Sequence, residues 1–121
     1  MGRKVPRTRN SGKWTEARYF GFIRSALRSA FRKWGPKHEA KKDAKVAYNT
    51  YVCASCDGWF GATQVEVDHI EPAGSLRSYE ALPGFVERMF CEAEGFQVLC
   101  KDCHQQKTNE EKERRNATRK D

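Results

Sequence analysis

The chain has 121 residues, a length that fits one domain with a modest core. Apolar residues make up 38% and charged residues 32%, and a net charge of +7 with a pI near 9.3 points toward nucleic acid as a partner. There is no run of 18 apolar residues to span a membrane, and no apolar segment follows the basic start Met1-Gly2-Arg3-Lys4, so neither a membrane anchor nor a secretory signal is expected.

In chain order, residues 1–13 are rich in Arg, Lys, Gly, Asn and Ser and are expected to be a disordered basic tail. Thr15 is a candidate helix cap. After it, Phe20, Ile23, Leu27, Ala30, Phe31 and Trp34 recur at helical spacing, which predicts one apolar stripe. Arg18, Arg24, Arg28, Arg32 and Lys33 occupy much of the remaining surface, and Gly35-Pro36 should stop the helix. A second, more polar helix is expected over about 37–48. Residues 14–50 thus form a basic helical extension.

Tyr51 to Phe60 predicts strand, tight turn, strand, with Cys53-x-x-Cys56 in the turn. Val65-Glu66-Val67-Asp68-His69 alternates, so a strand with Val65 and Val67 inward is expected, ended by Pro72 and Gly74. A loop over 73–82 should lead into a helix over 83–94 that opens on Pro83. Phe96 to Leu99 predicts a short strand, and Cys100 to Ala117 a final helix. Residues 118–121 should fray. Cys91 lies in an apolar run and is expected to be a packing residue.

Charge is unevenly spread. Residues 1–50 carry 14 Lys and Arg against 3 Asp and Glu, whereas residues 51–121 carry 9 against 13. The first half is suited to gripping a polyanion, with Arg24, Arg28 and Lys41 as examples of the residues involved. The second half carries the chemistry. Two Cys-x-x-Cys pairs, Cys53/Cys56 and Cys100/Cys103, are separated by 43 residues. This spacing lets two thiolates from each turn reach one tetrahedral zinc ion, and four thiolates leave no open position, so the zinc would be structural. The alternative is a pair of independent redox or buried cysteine pairs. Asp68 is a hard oxygen donor suited to magnesium or manganese, His69 can take a proton from water, and zinc at Cys103 would fix the backbone beside His104.

Taken together, Cys53-x-x-Cys56, then Val67-Asp68-His69-Ile70-Glu71-Pro72, then Phe96-Gln97-Val98-Leu99-Cys100-x-x-Cys103-His104-x-x-Lys107-Thr108 resembles the zinc-containing HNH endonucleases, and among them the small bacteriophage-encoded ones. The likeness covers residues 51–109. It implies an α+β fold with a ββα-metal, treble-clef-like core over 51–117, preceded by the basic helices. It further implies His69 as general base, Asp68 and His104 as ligands of a catalytic Mg2+ or Mn2+, and the four cysteines as ligands of Zn2+. Lys107, one turn beyond His104, would touch a phosphate. DNA is the implied partner, with phage packaging proteins as a further one, in the cytoplasm of an infected bacterium.

Gly95 departs from the family pattern, since many members carry Asn there to brace the loop of the base. A flat strand also points Asp68 and His69 to opposite faces, so both reach one phosphate only where the strand bends or ends. Two other readings stay open. One is a noncatalytic zinc module for nucleic-acid binding or phage assembly. The other is a thiol redox protein.

Overall fold

The computed structural model describes the backbone of residues 4–119 and the side chains through residue 117. The chain is α+β, and its described residues hold four α-helices and three small antiparallel sheets. None of the helices is long and apolar enough to cross a membrane. Two compact units are present, and they interleave along the chain. One comprises the chain up to Trp34 together with Glu71–Cys91, and the other Gly35–Ile70 together with the chain from Glu92 onward.

In the first unit, β1 (Arg7–Arg9) and β2 (Trp14–Thr15) form a hairpin whose turn uses the left-handed residues Asn10, Ser11 and Gly12. Residues 7–13, expected to be disordered, are therefore ordered. Their order has a local cause: Glu16 accepts from Arg9 Nε at 2.6 Å and from Thr8 Oγ1 at 3.1 Å. The described residues do not include 1–3, the start of the expected tail.

Helix α1 (Glu16–Phe31) opens on Thr15, whose hydroxyl accepts from the Arg18 N–H at 3.2 Å. Its apolar stripe meets α3 (Leu82–Met89) in a core of Phe20, Leu76, Phe85 and Met89, flanked by Tyr19, Ile23, Leu27 and Phe31. Trp34 Nε1 donates to the Cys91 carbonyl at 2.6 Å. Cys91 is only half-buried, and α3 ends at Met89 rather than near residue 94.

The second unit begins with α2 (Gly35–Asp43). Gly35-Pro36 opens this helix instead of merely ending the previous one, because proline fits a first helical turn. The helix is shorter than expected: β3 (Lys45–Ala47), β4 (Thr50–Val52) and β5 (Trp59–Gly61) follow as a three-stranded sheet. Strand β6 (Val65–His69) pairs with β7 (Phe96–Cys100) in unbroken register from Val65↔Cys100 to His69↔Phe96. Helix α4 (Lys101–Arg119) starts directly after β7 and packs across both strands.

Candidate functional site

The two cysteine pairs meet in the second unit. Cys53 directly follows β4 and Cys56 sits in the turn to β5, held by Cys53 N to Gly58 O at 2.9 Å and Asp57 N to Cys53 O at 3.0 Å. Space favours glycine at position 58, since a Cβ there would lie 2.8 Å from the Phe60 ring and the ring would have to shift. Ala54 N donates to Val98 O at 2.8 Å and ties this knuckle to β7, which delivers Cys100. The first turn of α4 delivers Cys103.

All four sulfurs lie within 4.8 Å of one another, and Cys56 Sγ is 4.0 Å from Cys100 Sγ. Sulfurs about 2.3 Å from one tetrahedral ion stand about 3.8 Å apart, so the cluster fits a metal ion. Among the described residues this is the one group of three or more His, Cys, Asp or Glu side chains that converges in this way.

The thiols are electrostatically unequal. Burial opposes a Cys53 thiolate, but the N–H groups of Cys100, Cys56 and Ser55 together outweigh it and bring the thiol down to about 6. Hydrogen bonding to Cys100, aided by burial, pushes Cys103 up to about 12. The Gly58 N–H favours a Cys56 thiolate, yet the Cys53 hydrogen bond and burial raise that thiol overall. Four thiolates this close repel one another, so a metal must displace protons from the cluster when it binds.

Beside the cysteines, alternation along β6 sends Glu66 and Asp68 to the face covered by α4. Asp68 Oδ1 is 3.6 Å from His104 Nε2, and Glu66 Oε2 is 2.9 Å from His104 Nδ1. Gln97, paired with Asp68 across the ladder, donates to Asp68 Oδ2 at 3.3 Å. Lys107 Nζ lies 2.7 Å from Asp68 Oδ2 and 2.5 Å from Glu111 Oε1, and donates to the His69 carbonyl at 2.8 Å. Burial opposes the Lys107 charge, but hydrogen bonds to Asp68 and Glu111 outweigh it and raise the amine above its ordinary 10.5. Lys107 is thus engaged by the protein itself rather than standing free for a phosphate.

His69 takes the other face. Strand pairing runs through it without a bend, and its ring rests against Phe96 with centroids 4.9 Å apart. The structure therefore brings Asp68 and His104 together and leaves His69 on the opposite side of the strand, at its last residue. Glu66, Gln97 and Glu111 escaped the sequence reading. Glu66 was legible, because it shares strand parity with Asp68. Glu111 lies four residues past Lys107, a spacing that pairs on a helix.

Of the basic residues singled out, Arg28 is exposed on α1. Arg24 is half-buried, and its Nε is buried with no hydrogen-bond partner. It lies one helical turn from Phe20, on the flank of the buried stripe, which makes it poorly placed to grip a backbone. Lys41 belongs to the second unit, where its amine sits 3.4 Å from the Ala62 carbonyl and 5.3 Å from the Tyr51 ring centroid. No family model, curated protein or solved structure matches this chain.

Proposed function

We propose that this chain is a metal-dependent endonuclease of the HNH kind that hydrolyses phosphodiester bonds in DNA with weak sequence preference. The observation that carries the reading is the approach of Asp68 Oδ1 to His104 Nε2, with Glu66 on the far nitrogen of the same imidazole. A proton on Nδ1, the nitrogen beside Glu66, would leave the Nε2 lone pair directed at the Asp68 side, the tautomer that a metal ligand needs. The 3.6 Å gap is one that two ligands of a single divalent ion can span.

On this reading β6, β7 and α4 form the ββα-metal core, and the cysteines hold Zn2+ as a structural ion. Asp68 and His104 would hold Mg2+ or Mn2+, which when bound offsets charge on the scissile phosphate and the departing 3′ oxygen. His69 takes the proton of the attacking water on a ring nitrogen. Because His69 faces away from Asp68, the phosphate must lie at the end of β6, where both faces are within reach. The exposed arginines of α1, such as Arg28, would add grip on the backbone that weakens steeply with salt. A phage-infected bacterium and its DNA-packaging machinery are the setting that the motif resemblance suggests.

The test is nicking of supercoiled plasmid in magnesium or manganese. His69→Ala should slow nicking by about 10²- to 10⁴-fold, the usual contribution of a general base. Equal nicking by wild type and His69→Ala overturns the assignment of the base. Two observations favour a noncatalytic zinc module that binds nucleic acid: the His69 ring packs on Phe96, and Gly95 stands where the family's Asn would be. That second reading expects DNA binding without nicking in any divalent metal.

A further inference from the structure

Phe22 lies on the wrong side of α1 for folding. The buried stripe of Phe20, Ile23, Leu27 and Phe31 faces the core, whereas Phe22 projects about 145° away from the centre of that stripe around the helix and is 60% exposed. It is not isolated. Trp14, at the end of the hairpin, sits 5.2 Å from it between ring centroids at 55°, and the Arg18 guanidinium lies 4.8 Å from the Trp14 ring centroid. Arg18, Phe22, Ser25, Ser29 and Arg32 fall along one outward line of the helix, with Arg28 at its edge. All except Phe22 are cations or hydroxyls.

The charge of the molecule gathers in this same unit. Residues 1–34 with 71–91 carry 12 Lys and Arg against 4 Asp and Glu, while the remaining residues carry 11 against 12. An exposed aromatic stack inside a cationic, hydroxyl-bearing face matches the chemistry of an unpaired base attached to a phosphate chain. A duplex hides the flat faces of its bases, so it would engage the arginines and leave the ring of Phe22 without a partner.

We propose that the Arg18–Trp14–Phe22 cluster is a platform for single-stranded nucleic acid, with an unpaired base resting on Phe22 and Arg18, Arg28 and Arg32 along the backbone. The line from Arg18 to Arg32 spans 14 residues, about 21 Å of helix, room for several nucleotides. This names the substrate class for the reading above, and rests on it only for the polymer being DNA.

The experiment is fluorescence anisotropy of the full chain with labelled (dT)12 and with a 12-base-pair duplex, at several salt concentrations and without added divalent metal. Wild type should prefer (dT)12. Phe22→Ala should weaken (dT)12 binding by about 5- to 150-fold, the worth of one stacked base, with its thermal midpoint unchanged. Phe22→Trp should restore it, and Arg32→Ala should weaken both probes and lower the salt slope by about one. Equal loss for both probes in Phe22→Ala, or no loss, overturns the platform. A Phe22-dependent preference for (dT)12 upholds it whether or not plasmid is nicked, so its fate and that of the nuclease reading are decided separately.

Discussion

On the proposed reading, a single carboxylate selects which nitrogen of His104 is available to a metal. Glu66 stands 2.9 Å from Nδ1, and the one residue between it and Asp68, Val67, sets the alternation that puts Glu66 and Asp68 on one face. Removing an outer carboxylate of this type commonly costs 10- to 100-fold in metal affinity. If Asp68 and His104 hold the proposed ion, Glu66→Ala should weaken Mn2+ binding by about 10- to 100-fold in titration calorimetry, and nitrogen NMR should show the His104 ring losing its preference for the Nδ1–H form. Unchanged affinity and tautomer would mean that Glu66 is only a surface partner. The cysteines act at the same scale. Cys53 is fully buried, so Cys53→Ser should lose the bound metal, seen as a fall in metal per chain by elemental analysis, and destabilise the second unit.

At the scale of elements, much was legible and the misses have local causes. The α1 stripe, its Thr15 cap, the Cys53 knuckle and the β6 and β7 strands followed from periodicity and turn residues, signals that act within a few positions. The hairpin at 7–15 did not, because its order rests on Arg9 and Thr8 meeting Glu16, which no period encodes. The pairing of Asp68 with His104 but not His69 depends on how far the β6 ladder runs, and the paired register reaches His69, a length that Pro72 and Gly74 further along do not specify. The Arg9 hydrogen bond holds the Glu16 carboxyl below its ordinary 4.5, against a smaller opposing effect of burial and with help from Thr8. A carboxyl depressed in the folded state stabilises it fully above the unfolded value and ceases to do so as pH falls through the folded value. The hairpin should thus loosen in acid below 4.5, as amide chemical shifts of residues 7–15 would report, and Glu16→Gln should remove that pH step. In the core, Phe85 is 1% exposed, and Phe85→Ala should cost about 3–5 kcal/mol in denaturant unfolding, unlike changes on the outer face of α1.

The whole molecule divides its labour between a cationic unit with an aromatic-lined apolar core and a nearly neutral unit whose core joins buried strand residues of β6 and β7 to a sulfur cluster. Cys53, Leu99 and Cys100 are the buried centre of the second unit's cysteine-side cluster, supported by Phe60 and Cys103. Val65, Phe96 and Val98 are also buried in this unit, and an ion at the sulfur cluster would tie the Cys53 knuckle to β7 and α4, whereas Phe20, Leu76, Phe85 and Met89 give the first unit a core with no metal ligand in it. The two units should therefore respond differently to a strong chelator. Hydrogen exchange on the full chain, with and without chelator, should show amides of β4, β7 and the first turns of α4 losing protection, while those of α1 and α3 keep theirs. Acid should act in the same direction as the chelator, because protons compete with metal for the thiolates and Cys53 alone has a thiol lowered as far as about 6. Uniform loss of protection across all four helices would show that the units stand or fall together, and loss in neither would show that the sulfur cluster holds the fold without an ion.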